Sequence, residues 1–135
     1  MKIIDGKNAI LGRLASYVAK EALKGEEIII LNCEQAIITG NKKDIREKFE
    51  AKRGRVGSTQ KGPKVSRSSE KIVKRAIRGM LPNYRDGRGR DALKRIKCYV
   101  GIPKEYEESK KISAGRDKSK FQSQTKIVSV KEISK

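Results

Sequence analysis

The residues of this sequence best suited to chemistry are its cations, which could bind phosphate groups. Lys and Arg number 34 against 16 Asp and Glu, and the formal net charge is +18. The excess is local, because residues 42–97 alone hold 20 Lys and Arg against 6 Asp and Glu. A solvated surface usually interleaves both signs. A field of one sign therefore predicts a polyanionic partner, and nucleic acid is the leading candidate.

Part of this charge forms a stripe on a helix predicted over residues 67–79. At 100° per residue, one side of the helix collects apolar residues that we expect to pack on a sheet, namely Ile72, Val73, Ala76, Ile77 and Met80. The opposite side collects the cations Arg67, Lys71, Lys74, Arg75 and Arg78. Like charges at these spacings destabilise a helix by about 0.2–0.5 kcal/mol per pair. Phosphate groups would convert that cost into affinity.

The scarcity of aromatic residues and of known DNA-binding motifs indicates which kind of nucleic acid the chain could bind. The six Phe and Tyr residues form no sequence cluster for stacking splayed bases, and Trp is absent. The sequence has no Cys/His finger, heptad zipper or clear helix-turn-helix pair. We therefore expect lysines and arginines to recognise the phosphates and the shape of folded or duplex nucleic acid.

Catalytic interpretations find little support. Histidine, the commonest general base and metal ligand, is absent. Residues 5–12 lack Gly-x-Gly-x-x-Gly, and the Gly-Arg-Gly-Arg run at 87–90 is not followed by Gly-Lys-Ser/Thr. Asp5 and Glu34 follow predicted strands, where α/β enzymes place acids, but we interpret them as caps or partners of nearby lysines. Cys33 and Cys98 are interpreted as buried, reduced thiols. We expect no enzyme, metal, cofactor or small-molecule substrate.

The first part of the chain predicts a βαβ unit. Residues 2–5 form a predicted strand, Asn8 can cap a helix, and residues 10–23 carry apolar side chains at helical spacing up to a stop at Gly25. Residues 27–32 are apolar without alternation, which is typical of a strand covered on both faces in a parallel sheet. We interpret Gly12, inside the helix, as a point of close contact with the sheet or with RNA.

The remaining elements are less regular. We expect an extended segment at 33–39, a helix at 44–52, a flexible basic loop at 53–66, a short helix at 92–95 and a strand at 96–100. Gly79 lets another backbone approach the end of the 67–79 helix, and Pro82 stops it. A chain of 135 residues suits one domain. We divide it into a single α/β domain over 1–107 and a polar C-terminal extension over 108–135.

Targeting features are not evident. The longest aliphatic run, residues 28–31, is far below the ~20 residues that cross a bilayer. The first residues lack the apolar stretch of a secretory signal. We expect a cytoplasmic protein without a membrane partner.

Four ordered segments resemble the large-subunit ribosomal protein thirteen family in its archaeal and eukaryotic branch. They are Leu-Gly-Arg-Leu-Ala-Ser at 11–16, Ile-Thr-Gly-Asn-Lys at 38–42, Arg-Gly-Met-Leu-Pro at 78–82 and Leu-Lys-Arg-Ile-Lys-Cys-Tyr-Val-Gly at 93–101. The resemblance covers roughly residues 2 to 107. Residues 108–135 match no pattern of the family, so the path of this tail stays open.

The resemblance implies a three-layer α/β/α sandwich around a small, mostly parallel four-stranded sheet. It implies a structural component of the large ribosomal subunit that stabilises folded large-subunit rRNA, supports assembly, and contacts neighbouring ribosomal proteins without being an obligate homo-oligomer. Carried over by position, the RNA-facing residues are Arg13, Ser16, Asn41, Lys42, Arg75, Arg78 and Gly79. The basic segment adds Lys43, Arg53, Arg55, Lys61, Lys64, Arg67, Lys71, Lys74, Arg85, Arg88 and Arg90.

Two other functions are weighed against this one. A free-standing regulator that binds messenger RNA or genomic DNA would share the charge and would remain outside ribosomal fractions. A nucleotide-using enzyme would bind ATP or NAD.

Overall fold

The chain folds around a small parallel sheet with helices packed on it. The computed structural model describes residues 1–55, 57, 62–114 and 126–134. The strands are β1 (Lys2–Asp5), β2 (Ile28–Leu31), β3 (Ile37–Thr39), β4 (Ile96–Cys98), β5 (Ile112–Ser113) and β6 (Ile127–Ser129). The α-helices are α1 (Leu11–Leu23), α2 (Lys42–Gly54), α3 (Ser69–Met80), α4 (Gly87–Lys94) and α5 (Val130–Ile133). Single 3-10 turns lie at Cys33–Gln35 and Lys104–Tyr106.

The main sheet has the strand order β4-β2-β1-β5, and each neighbouring pair is parallel. Ile3 and Ile4 of β1 stand beside Ile29 and Ile30 of β2. The predicted α/β class with a small parallel four-stranded sheet is confirmed. The prediction of an extended segment at 33–39 is wrong for its first half, where the chain makes a 3-10 turn. The second half forms β3, which pairs antiparallel with β6 in a second sheet.

The two faces of the main sheet are covered to different depths. Ile4, Ile28 and Ile30 face a core built with α1, α3 and α4. Ile3, Ile29 and Leu31 face the other way, against Tyr99 and Tyr106, the second of which belongs to the 3-10 turn at Lys104–Tyr106. All four residues of β2 are buried, as the unalternating apolar run predicts.

The C-terminal segment adds structure to both sheets. β5 extends the main sheet, and β6 and α5 cover a second apolar cluster, where Val128, Val130 and Ile133 are buried with Ala36 and Ile72. Helix α2 packs against the same cluster through the half-buried side chains of Ile45 and Phe49. The division into a domain over 1–107 and an extension over 108–135 stays a prediction.

Of the residues predicted to shape α1, two differ from the prediction and one agrees with it. Asn8 adopts the left-handed conformation (φ 58°) and donates its N–H to the Gln35 carbonyl, so the predicted cap by Asn8 is wrong and α1 begins after Ile10. Gly25 (φ 100°) ends the helix as predicted. An added Cβ on Gly12 would have nothing within 4 Å, which excludes the expected contact with the sheet.

The limits of α2, α4 and β4 also differ from those predicted from the sequence. α2 continues to Gly54 and therefore includes Arg53, which we placed in the basic loop. α4 begins at Gly87 because Asp86 accepts a hydrogen bond from the Gly87 N–H at 2.8 Å, so the short helix predicted at 92–95 is too short. β4 ends at Cys98, two residues before the predicted end at 100.

The two cysteines are free thiols. Cys33 is buried, whereas Cys98 is half-buried, so the burial prediction is met fully by Cys33 alone. A hydrogen bond with Cys98 and burial both raise the pKa of the Cys33 thiol. Cys33 is therefore protonated and unreactive at neutral pH.

A glycine sets the distance between α4 and the turn after α3. A Cβ on Gly89 would lie 1.9 Å from the Pro82 carbonyl oxygen and 2.7 Å from that of Asn83. Both obstacles are backbone atoms, so the helix or the turn would have to move. The glycine run at 87–90 therefore serves helix packing rather than a phosphate loop.

Gly89→Ala is expected to lower the free energy of unfolding by about 3 kcal/mol or more, because overpacking against backbone cannot relax by a rotamer change. Urea unfolding measures this. Gly12→Ala is the matched control: this helical glycine has open space and better helix propensity after substitution, so stability should be unchanged or slightly raised. Equal midpoints for wild type and Gly89→Ala would contradict the packing described.

Glu21 joins the end of α1 to the start of β1. It is only 6% exposed, and its carboxylate accepts hydrogen bonds from the Lys2 ammonium and, at 2.7 Å, from the Lys24 ammonium. The hydrogen bond from Lys2, followed by that from Lys24, lowers the pKa of Glu21 to about 2.

The folded pKa of Glu21 lies below its ordinary value of 4.5, so the unfolded chain binds more protons between these values. The contribution of Glu21 is therefore present above pH ~4.5 and is lost as the pH falls toward 2. Glu21→Gln should flatten the fall of the melting temperature across this interval. Glu50→Gln, which alters an exposed residue of α2, should keep the wild-type profile, and identical profiles for all three proteins would contradict the role of Glu21.

Candidate nucleic-acid interface

Helix α3 separates its apolar and cationic sides as predicted. Ile72, Val73 and Ile77 are buried. Met80, which we expected to pack on the sheet, is 45% exposed because the chain leaves the core here and buries Leu81 instead. Ala76 is half-buried against the core beneath the main sheet, so the predicted apolar side is confirmed for four residues and wrong for Met80.

The cations of the predicted stripe occupy two kinds of position. Lys71 and Arg75 of α3 are exposed to solvent, and so is Arg67, which lies outside the helix because α3 begins at Ser69 and not at the predicted residue 67. Lys74 is half-buried and its ammonium donates a hydrogen bond to the Ile96 carbonyl at 2.9 Å, which fixes the lysine against β4. The stripe is thus partly anchored to the protein, and three of its members point outward.

Arg78 is held by an aromatic ring. Its guanidinium lies 4.6 Å from the centre of the Tyr84 ring, and the guanidinium of Arg85 lies 5.6 Å from the same ring. A hydrogen bond with Arg85 and the nearby charges lower the pKa of the Tyr84 hydroxyl. A stacked guanidinium keeps its N–H groups at the edge of the plane, so both arginines can still bind phosphate oxygens.

An open groove of about 530 Å³ runs beside α3. It lies between α3, α2 and the segment 64–66. No carboxylate lines it among the residues that the structure describes, whereas its cations are Lys52, Lys64, Lys71, Lys74, Arg75 and Arg78. A concave surface with charges of one sign concentrates the potential and attracts polyanions.

Two predicted RNA-binding residues on α2 already have protein partners. The Lys42 ammonium lies 2.5 Å from Oε2 of Glu132, and this contact lowers the pKa of the Glu132 carboxyl. Nη2 of Arg53 donates to the Ile133 carbonyl at 2.6 Å. Both contacts fasten α2 to α5, so Lys42 and Arg53 have a role in the fold whatever else they bind.

A third group lies where α1 meets the end of α3. The Ser16 hydroxyl donates to the Gly12 carbonyl at 2.9 Å and lies 3.4 Å from the Met80 sulfur. Arg13 is exposed on the same helix. Gly79 is exposed, and an added Cβ there would have nothing within 4 Å. Arg13, Ser16 and Gly79 thus flank the junction of the two helices, open to an approaching molecule.

The other predicted residues are spread along the surface. Asn41 begins α2 and accepts the Ile45 N–H on its carbonyl, and Lys43 lies 4.0 Å from Glu47. The remaining predicted residues that are exposed are Arg55, Lys64, Arg85, Arg88 and Arg90. Lys61 lies outside the described residues.

Two residues of this candidate interface were not predicted from the sequence. Lys52 lines the groove, and its ammonium lies 5.7 Å from the centre of the Phe49 ring. Tyr84 holds Arg78 and Arg85. The i, i+3 spacing of Phe49 and Lys52 was a usable signal, because such residues share a helix face. Tyr84 lies in a turn, where spacing carries no such information.

The acidic residues at the carboxyl ends of the strands hold loops in place. Asp5 accepts hydrogen bonds from the Lys7 N–H at 2.9 Å and the Asn32 amide at 3.0 Å, and Glu34 accepts one from the Gly101 N–H at 3.0 Å. Across the described residues, no group of three or more His, Cys, Asp and Glu could hold a metal ion. Within the same residues, no helix has the length and apolar character needed to span a bilayer.

Comparison with known proteins gives a consistent result. The family model described as "Ribosomal protein L13" matches residues 1–105. A protein of Methanococcoides burtonii named "Large ribosomal subunit protein uL13" is 42% identical over 135 residues, covering 100% of this chain and 96% of the relative. The Methanocaldococcus jannaschii protein of the same name is 46% identical over 124 residues, with 90% of each chain covered. These matches, which agree with the resemblance seen in the four sequence segments, show that the chain belongs to the ribosomal protein L13 family.

Proposed function

We propose that this protein is a structural component of the large ribosomal subunit that binds folded rRNA through the basic face of α3 and the adjoining groove, and so supports subunit assembly. The groove, with six cations and no carboxylate among its described lining residues, is the observation that carries this proposal. Family membership adds that the matching relatives are ribosomal proteins rather than enzymes. The partners proposed are large-subunit rRNA and neighbouring ribosomal proteins.

Binding follows from the way the cations are held. Ile72, Val73 and Ile77 seat α3 in the core, so its charged side keeps a fixed orientation. Stacking on Tyr84 and the hydrogen bond from Lys74 restrict two further side chains. Less side-chain freedom is then lost when phosphates bind, which favours affinity. The released counterions provide much of the driving force.

The two alternatives predict different behaviour in a cell lysate. A large-subunit protein stays with the subunit through a sucrose gradient, whereas a free regulator of messenger RNA or DNA remains in the light fractions. An enzyme that uses nucleotides would bind ATP or NAD as a purified protein. Sedimentation is therefore the first experiment.

Affinity for a transcript of large-subunit rRNA should depend steeply on salt. About six phosphate contacts give a slope of log affinity against log salt near −5, or roughly a thousandfold loss between 50 and 200 mM. Arg75→Gln should reduce the magnitude of the slope by about one unit, because this exposed arginine lies on the proposed face. Lys104→Gln, in the 3-10 turn near the opposite face of the sheet, should leave the slope unchanged. A flat salt response would contradict the proposal.

Charge reversal at the stacked arginine tests the face in the assembled subunit. Arg78→Glu should weaken binding by about 1.5–3 kcal/mol, since a charged hydrogen bond is lost and a repulsive charge is introduced. The fraction of protein that sediments with the large subunit should fall, while circular dichroism should show an unchanged fold. Lys104→Glu makes the same change of charge elsewhere and should sediment normally. Normal sedimentation of Arg78→Glu would show that this arginine faces solvent.

A further inference from the structure

We infer that the groove beside α3 receives a single unpaired nucleotide extruded from folded rRNA, with its base on the apolar floor and its phosphates against the cationic rim. This inference rests on the proposed function and specifies how part of the RNA is recognised. Its support lies in the combination of floor, rim and size.

The floor of the groove is apolar. It lies where the core beneath the main sheet meets the cluster covered by β6 and α5, and α3 contributes to both. One apolar lining residue, Ile72, is buried. The other apolar lining residues are partly exposed, namely Leu11, Phe49, Val65, Ala76 and Leu93. Phe49 is the one aromatic residue among the described lining residues, which suits the stacking of one base.

The rim of the groove is cationic. Lys71 and Arg75 of α3 are exposed along one side, and Lys64 is exposed in the segment after the basic loop. The Lys52 ammonium lies over the Phe49 ring, 5.7 Å from its centre, so a base that takes this place on the ring brings its phosphate close to a cation. A nucleotide has this same pairing of a flat apolar ring and an anion.

The shape of the groove favours one nucleotide over a duplex. A duplex keeps its bases stacked inside and presents only backbone, so it would cover the rim and leave the floor exposed to water. A cavity of about 530 Å³ falls within the range of about 300–1,000 Å³ typical of small-ligand sites. A protein segment would fit the floor, but it would need to be acidic to neutralise the rim.

Three RNAs test the inference. The first is a perfect duplex, the second is the same duplex with one bulged adenosine, and the third has an abasic residue in the bulge. Wild-type protein should bind the adenosine bulge about tenfold more tightly than the duplex, because one base gains a stacking contact. The abasic bulge should bind like the duplex.

A variant that fills the groove tests the place of binding. Gly79 lines the groove and an added Cβ has nothing within 4 Å, so Gly79→Leu should fold normally and obstruct the nucleotide. It should abolish the tenfold preference, so that the adenosine bulge, the abasic bulge and the duplex bind this variant with equal affinity. Gly54→Leu adds the same side chain at another open helical glycine outside the groove lining and should keep the preference. Circular dichroism verifies the fold of both variants.

The outcomes separate the two proposals. Salt-dependent duplex binding without any preference for the bulged adenosine would overturn the nucleotide site and leave the proposed function standing. A tenfold preference for the bulged adenosine that persists in Gly79→Leu would also overturn it, because the base would then bind outside the groove. Failure of wild-type protein to bind any RNA, including the large-subunit transcript, would count against the proposed function itself. Tighter binding of a peptide of alternating Glu and Leu, lost in Gly79→Leu, would assign the groove to an acidic protein segment instead.

Discussion

The packing of α3 against two apolar clusters is the constraint on which the proposed binding surface depends. Val73 and Ile77 pack in the core beneath the main sheet, and Ile72 packs in the cluster covered by β6 and α5. Each fully buried side chain of this size contributes about 1.5–3 kcal/mol, which exceeds the repulsion of about 0.2–0.5 kcal/mol between neighbouring cations. The fold can therefore hold several like charges on one helix and present them together.

The C-terminal segment completes this seating and extends it to α2. Val128, Val130 and Ile133 close the second cluster, while Glu132 and the Ile133 carbonyl bind Lys42 and Arg53 of α2. α2 has no fully buried residue among those described, so these polar contacts and the half-buried Phe49 hold it beside the groove. The position of Lys52, and with it one side of the groove, follows from contacts made by residues far away in sequence.

The sequence predicted the elements whose information is local. The apolar and cationic sides of α3 followed from helical periodicity, and β1 has the limits that were predicted. β5, β6 and α5 have two to four residues, too few for a periodic signal, and they exist because distant strands and apolar clusters accept them. The partners of Lys42 and Arg53 could not be predicted either, because both partners lie in α5. Gly89 was noticed for its resemblance to a phosphate loop, although only the packed structure shows that Pro82 and Asn83 require it.

The position of the candidate site departs from the usual habit of parallel α/β domains, which bind ligands at the carboxyl ends of their strands. Here the polar groups at that edge of the sheet form hydrogen bonds with one another. Asn32, in the left-handed conformation and 8% exposed, donates to Asp5 at the end of β1, and Glu34 accepts the N–H of Gly101, which follows β4. These bonds satisfy the polar groups that would otherwise be available to a small ligand. The cations are instead gathered on the outer side of the helical layer, a surface that suits a partner larger than the domain. The same sheet geometry that builds nucleotide-binding enzymes thus serves here as a rigid support for the cationic face that we propose to bind RNA.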